Sequence, residues 1–166
     1  MERYIQKAKE VKFIGIDPGK SGGIGIISDD GNYAIKMPET ERDLFEYLRD
    51  NAEGAFCLIE KVHAMPGQGV TSMFNFGMSY GSLRMAIVAA GIPFETVTPQ
   101  KWQKTLGCLT KGDKNVSKRK AQELFPDIKI THAIADSLLI AHYAKHHHGY
   151  VPYSGKTLWQ CVDEIM

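Results

Sequence analysis

Short apolar runs along the chain predict five β-strands. The first three runs cover residues 11–17, 22–28 and 33–37, and turn signals rich in Gly, Pro, Asp and Asn separate them. Two more runs follow at residues 55–60 and 93–97. Apolar runs of this length that end at turn residues are typical of strands. The short connections between the first three indicate an antiparallel meander.

Helical spacing of apolar side chains predicts five helices, over residues 40–51, 71–90, 99–106, 114–125 and 131–147. In the longest of them an apolar stripe recurs at intervals of three and four residues: Met73, Phe76, Tyr80, Leu83, Ile87 and Ala90. We expect this stripe to pack on the sheet of the same chain, and a contact between subunits is the alternative. Gly77 and Gly81 would permit close approach of another backbone in either case.

The order of these elements indicates one α/β domain with a mixed five-stranded sheet flanked by helices. We assign residues 1–149 to this domain and treat residues 150–166 as a C-terminal tail of unassigned role, because their pattern is weak. The chain has 166 residues, of which 43% are hydrophobic and 23% charged. This composition is typical of a globular domain and excludes a disordered or fibrous chain.

The sequence shows no signal of export or membrane insertion. No apolar run approaches the ~20 residues that a membrane-spanning helix needs, and the opening residues lack the apolar core of a signal peptide. The three cysteines are far apart and form no C-x-x-C pair, so a disulfide framework or a structural zinc site is not indicated. We therefore expect a cytoplasmic protein with reduced thiols and no membrane partner.

Charge is unevenly distributed along the chain. Between Thr98 and Gln122 lie seven basic side chains and one acid, Asp113, which gives a local charge of +6. Since the whole chain carries a net charge of +1, the remainder carries −5. Such a separation predicts one basic surface on an otherwise acidic body and favours a polyanion as partner.

Three acids stand at positions that need an explanation. Asp17 and Glu60 each end an apolar strand, and Asp136 interrupts the apolar pattern of the last helix. His132 lies one helical turn before Asp136, on the same face. A hard divalent cation such as Mg²⁺ or Mn²⁺ would take these oxygens and offset their mutual repulsion. Solvated strand-end acids and a hydrogen-bonded His–Asp pair are the alternatives.

The motifs resemble, in order and spacing, those of the RuvC-type Holliday junction resolvases. Similar segments are I-G-I-D-P-G-x-S-G-G-I-G at residues 14–25, L-I-E-K-V at 58–62 and H-A-I-A-D-S-L-L-I-A at 132–141. The run at 86–93, the T-P-x-x-W at 98–102 and the basic helix after Gly112 are also similar to phage and divergent members. The resemblance extends over residues 11–145.

The resemblance implies a ribonuclease-H-like fold, a homodimer, and cleavage of opposed strands of a four-way DNA junction in a prokaryotic or phage-infected cell. Two Mg²⁺ or Mn²⁺ ions roughly 4 Å apart would serve in-line hydrolysis of the phosphodiester. It assigns Asp17, Glu60, His132 and Asp136 as catalytic residues and metal ligands. A two-fold enzyme also suits a nearly two-fold branched substrate.

The sequence departs from the family at two places. Many members carry a second acid three positions before the one on the last helix, where this chain has Ala133, so His132 is the candidate ligand or proton carrier. In bacterial members an aromatic residue follows the strand-end glutamate by three positions, and here that residue is His63. We keep His63 as a candidate for contacting an unstacked base.

The basic segment is the candidate DNA interface. Phosphate contacts by lysine and arginine give affinity and salt dependence without base readout, and the candidates are Lys111, Lys114, Lys118 and Arg119. Trp102 is expected to be a packing or lid residue. Three other functions remain open: a less selective flap and fork nuclease, a non-catalytic junction-binding module, and an actin-like nucleotide-binding domain.

Overall fold

The computed structural model describes residues 11–63, 67 and 69–150. It contains strands β1 (Lys12–Asp17), β2 (Gly23–Ser28), β3 (Gly31–Lys36), β4 (Ala55–Glu60) and β5 (Phe94–Val97). Its helices are α1 (Glu41–Asp50), α2 (Val70–Ala89), α3 (Pro99–Thr105), α4 (Lys114–Leu124) and α5 (His132–His147). The predicted elements are all present, and their ends agree with the predicted ones to within two residues.

The strands form one mixed sheet in the order β3-β2-β1-β4-β5. The meander β1-β2-β3 is antiparallel, as predicted, whereas β4 runs parallel to β1 and β5 runs parallel to β4. Parallel neighbours need long crossover connections, which α1 and α2 supply. Because β1, β4 and β5 are parallel, their carboxyl ends meet at one edge of the sheet.

Alternation along the strands divides the core into two layers. On one face, Ile14, Ile16 and Ile59 pack with side chains of α1 and α2, including Leu48 and Leu83. On the other face, Phe13, Phe56 and Leu58 of the same strands are buried. They pack in one layer with side chains of α3, α4 and α5, including Trp102, Ala121 and Leu138. The sheet is thus covered by helices on both sides.

The predicted stripe of α2 does pack within the same chain, but only toward the end of the helix. Leu83 and Ile87 are buried and Tyr80 is half-buried against the same layer. A second apolar stripe lies on the opposite side of α2 and is more than half exposed: Val70, Phe74, Met78, Met85 and Val88. Gly77 and Gly81 lie in this second stripe, and among the described residues no atom outside α2 is within 4 Å of a Cβ built on either.

Two further predictions concern the membrane and the tail. None of the helices within the described ranges combines the length and the apolarity that a bilayer crossing requires. The predicted tail begins at Tyr150, whose ring stacks on Phe56 with centroids 4.0 Å apart. The rest of the tail, residues 151–166, lies outside the described residues.

Candidate active site

Asp17 and Glu60 lie side by side at the carboxyl edge of the sheet. They end β1 and β4, and the register pairs Ile16 with Ile59, the residues immediately before them. Side chains alternate between the faces of a strand, so Asp17 shares a face with Phe13, and Glu60 shares the same face with Leu58. This is the face that α3, α4 and α5 cover, so both carboxylates lie where those helices can supply partners.

Glycines in β1 and β2 allow α5 to approach the sheet closely. A Cβ built on Gly15 would lie 2.2 Å from the backbone N of Ala141, and one built on Gly25 would lie 2.8 Å from that of Leu138. Real Cβ atoms do not come so close to backbone, so residues with side chains would displace the helix. The close approach brings the first turns of α5, with Asp136, to the edge where β1 ends.

The three carboxylates act on one another electrostatically. The pKa of Asp17 is raised from 3.8 to about 7, chiefly by burial and then by the negative charges of Glu60 and Asp136. Burial also raises the pKa of Glu60, to which the charge of Asp136 adds. Like charges at short range disfavour joint ionisation. Asp17, Glu60 and Asp136 therefore form one coupled acidic site, which we call the acid trio.

Asp136 combines a buried carboxyl group with positive neighbours. Its pKa is raised by burial, while a hydrogen bond from the Ser117 hydroxyl and the positive charges of Lys114 and His132 act in the opposite direction. Among the described residues no group hydrogen-bonds Asp136 Oδ1, although this oxygen is buried. A buried acceptor without a protein partner is rare in folded proteins, and such an oxygen can accept from a water molecule or bind an ion.

The donor set of the acid trio fits a divalent cation. Carboxylate oxygens are the ligands that Mg²⁺ and Mn²⁺ prefer, the unpartnered Oδ1 of Asp136 is available, and a cation would relieve the repulsion that raises these pKa values. No three His, Cys, Asp or Glu side chains within the described ranges already form a group that could hold a metal ion. Binding of an ion by three donors would therefore require at least one of these side chains to change its rotamer.

Lys114 belongs to this site as well as to the basic segment. It is the first residue of α4, whose N-cap Asp113 accepts a hydrogen bond from the backbone N of Asn115 at 2.9 Å. Its positive charge lowers the pKa of both Asp17 and Asp136. Lys114 thus places positive charge beside two of the three carboxylates.

The other predicted site residues occupy the surroundings of the trio. His132 is exposed at the start of α5 and acts on Asp136 through its charge. His63 is exposed and lines a cleft of about 490 Å³ together with Glu60, Ser72, Met73 and Phe76. Lys111 and Arg119 are exposed and Lys118 is half-buried on the loop before α4 and on that helix.

Sequence reasoning missed two contacts to the trio. The indole Nε1 of Trp102 donates a hydrogen bond to Glu60 Oε2 at 2.8 Å, and Ser117 hydrogen-bonds the carboxyl of Asp136. Trp102 is fully buried, as expected for a packing residue. No local signal marks either contact, because each joins residues that only the tertiary fold brings together.

The sheet order, the two covering layers and the position of the acid trio define a ribonuclease-H-like α/β fold of the RuvC type. Comparison with solved structures finds RuvC of Thermus thermophilus, which superposes with a TM-score of 0.58 at 18% sequence identity and covers 81% of this chain and 96% of that one. The same protein in complex with a Holliday junction substrate gives a TM-score of 0.57 at 16% identity, over 81% and 95% of the two chains.

Sequence comparison alone does not find these relationships. No known protein family matches the chain, and no curated protein is similar to it in sequence. The likeness is therefore one of fold, and the predicted fold class is confirmed.

Proposed function

We propose that this protein is a metal-dependent endonuclease that resolves four-way DNA junctions by paired hydrolytic nicks. The observation that carries the proposal is the acid trio, in which Asp17, Glu60 and Asp136 come from three separate segments to one sheet edge, where burial and the charges of Glu60 and Asp136 raise the pKa of Asp17. A module that only binds DNA gains nothing from three half-buried carboxylates placed together, because their negative charges repel phosphate. The fold shared with a junction-bound RuvC structure supports the same proposal.

In this proposal the carboxylates of the trio hold two Mg²⁺ or Mn²⁺ ions, with His132 as a further ligand or as a proton carrier. Bound cations would stabilise negative charge on the attacking and leaving oxygens of the phosphodiester. Lys114 contributes positive charge beside Asp17 and Asp136, where it can bind a phosphate oxygen. The exposed imidazole of His132 stands where it can exchange a proton with water.

The DNA duplex arms would lie along the basic segment. Lys111, Lys118 and Arg119 are carried by the loop before α4 and by α4 itself, and Lys114 on the same helix reaches the trio. Phosphate contacts of this kind position the backbone without reading sequence. The apolar cleft with His63 adjoins Glu60 and can accept a base unstacked at the branch.

The exposed stripe of α2 is the proposed contact between two copies of the chain. It combines large apolar side chains with Gly77 and Gly81, where another backbone can approach closely. Contiguous exposed apolar surface of this kind marks interaction sites, and an isologous dimer would present two equivalent sites to a junction. We place this activity in the cytoplasm of a prokaryotic or phage-infected cell.

A gel comparison of DNA substrates tests the proposal. Purified protein is incubated with a mobile four-way junction, a flap, a fork and linear duplex, with Mg²⁺ or Mn²⁺ and with EDTA. The proposal predicts metal-dependent nicks in opposed strands of the junction and little cutting of duplex. Equal cutting of flaps and forks would instead support a general debranching nuclease, and binding without nicks would support a junction-binding module.

A thermal melt distinguishes the proposed nuclease from the alternative of an actin-like nucleotide-binding domain. A ligand that binds only the folded state raises its melting temperature. We expect Mn²⁺ alone to stabilise this protein and ATP to have no effect without it. Stabilisation by ATP and none by Mn²⁺ would favour an actin-like function.

A further inference from the structure

We infer that Trp102 is a positioning residue that fixes the carboxylate of Glu60 for cation binding. The inference rests on the proposed function, because it takes Glu60 as a metal ligand. Trp102 is 0% exposed, and its indole Nε1 donates to Glu60 Oε2 at 2.8 Å. Forty-two residues separate the two along the chain.

The sheet register holds the indole in place relative to Glu60. Val97, at the end of β5, pairs with Glu60, and the backbone N of Lys61 donates to the carbonyl of Val97 at 2.7 Å. Thr98 follows as the N-cap of α3 and places Trp102 on the first turn of that helix. The end of β4 and the start of α3 therefore form one rigid corner.

The hydrogen bond goes beyond what core packing requires. Trp102 belongs to the same buried layer as Val97 and Leu106, and a phenyl ring would also be apolar enough for that layer. A buried indole N–H needs an acceptor, and here the acceptor is a carboxylate of the trio. Oε2 is thereby engaged by Trp102, and Oε1 remains available as a ligand. Hydrogen bonds from residues that do not themselves touch the metal orient metal-ligating carboxylates in this way.

Trp102→Phe tests the inference, since it removes the N–H and keeps an aromatic ring. Mn²⁺ binding is measured directly from the free-ion signal in electron paramagnetic resonance. We expect the concentration for half-saturation to rise about tenfold or more, as for the loss of other outer contacts to metal ligands. Junction binding in EDTA, measured by gel shift, should stay unchanged.

Leu106→Ala is the matched control, because Leu106 is buried in the same layer and has no polar group. It should lower the melting temperature in EDTA while leaving Mn²⁺ half-saturation unchanged. An equal loss of Mn²⁺ affinity in both variants would assign Trp102 a structural role only and overturn the inference.

The indole itself offers a second measurement that does not depend on the folding of a Trp102 variant. Trp102 and Trp159 are the two tryptophans of the sequence, so Trp159→Phe leaves Trp102 as the only indole emitter. Its emission should change on titration with Mg²⁺ and saturate together with metal binding. Emission that is unchanged at saturating Mg²⁺ would contradict the inference.

The outcomes separate this inference from the proposed function. If the wild type binds Mn²⁺ and cuts junctions while Trp102→Phe binds Mn²⁺ equally well, the positioning role is wrong and the nuclease stands. If Trp102→Phe weakens Mn²⁺ binding but the wild type cuts no DNA, the positioning role stands and the nuclease is wrong.

Discussion

Helices α5 and α2 are both apolar on opposite sides, yet they meet the rest of the molecule in different ways. Nine of the sixteen residues of α5 are buried, against two of the twenty residues of α2. Helix α5 is enclosed because glycines in β1 and β2 admit it, and it carries Asp136 to the trio. Helix α2 keeps an apolar stripe exposed. Two helices of similar apolar composition therefore differ in burial. Helix α5 is buried and carries a residue of the trio, whereas one apolar face of α2 is exposed.

The largest expected effect comes from blocking the close approach of α5. In Gly15→Ala the added Cβ would lie 2.2 Å from the backbone N of Ala141, so the helix must move. We expect the free energy of unfolding to fall by about 3 kcal/mol or more, with loss of nuclease activity. Urea unfolding measures the change, and unaltered stability would refute the close packing of α5 on β1.

Removing the charge of Asp17 tests the electrostatics of the acid trio, to which α5 contributes Asp136. Its folded-state pKa, about 7, exceeds the ordinary 3.8, so the folded state binds more protons between these pH values and stability falls as pH rises through them. Asp17→Asn should therefore stabilise the metal-free protein above pH 7, by up to about 4 kcal/mol at 1.4 kcal/mol per pH unit. The gain should vanish below pH 4.

Thermal melts in EDTA across this pH range measure the gain. The same variant should lose DNA cleavage while junction binding survives or tightens, because a negative charge leaves the phosphate site. The gain in stability of Asp17→Asn over the wild type should be larger at pH 8 than at pH 4. An equal gain at both pH values would contradict the raised pKa of Asp17.

The exposed stripe of α2 can be broken without touching the core. Phe74 is 66% exposed, so Phe74→Glu should change the stability of a monomer by no more than about 0.5 kcal/mol. Across a dimer contact the same charge would be buried without a partner, and we expect dissociation in analytical ultracentrifugation. Asn75→Glu, an exposed change on the same helix outside this stripe, introduces the same charge and is the control. Equal dimerisation of both variants would exclude the stripe as the contact.

The smallest expected effect is a gain on the same stripe. In the part of the chain that the structure describes, the added Cβ of Gly81→Ala meets no atom within 4 Å outside the helix. Alanine in a helix interior is more favourable than glycine by about 1 kcal/mol. The unfolding free energy should rise by that amount at concentrations where the protein is monomeric, while dimerisation weakens. A loss of monomer stability would show that another segment packs against Gly81.

The contrast between the helices also shows how far sequence reasoning extends. The strand-end positions of Asp17 and Glu60 follow from local pattern, and their proximity follows once β1 and β4 pair in parallel. The close packing of α5 on the sheet cannot be predicted from the sequence. Gly15 and Gly25 have no local signal that distinguishes them from other strand residues, and only the tertiary fold places a helix over them. The contact from Trp102 to Glu60 likewise depends on β4 pairing with β5. The local sequence pattern therefore predicts the helices and strands, whereas the contacts between distant residues depend on how the strands pair.

The most direct test of the central claim maps strand cleavage in a four-way junction whose four strands are labelled in turn, with wild type and Asp136→Asn in Mg²⁺ or Mn²⁺. We expect the wild type to nick two strands at opposed positions. We expect no nicks with Asp136→Asn, although that variant should still shift the junction in a gel. Equal nicking by both proteins, or binding without nicking by the wild type in either metal, would contradict the claim.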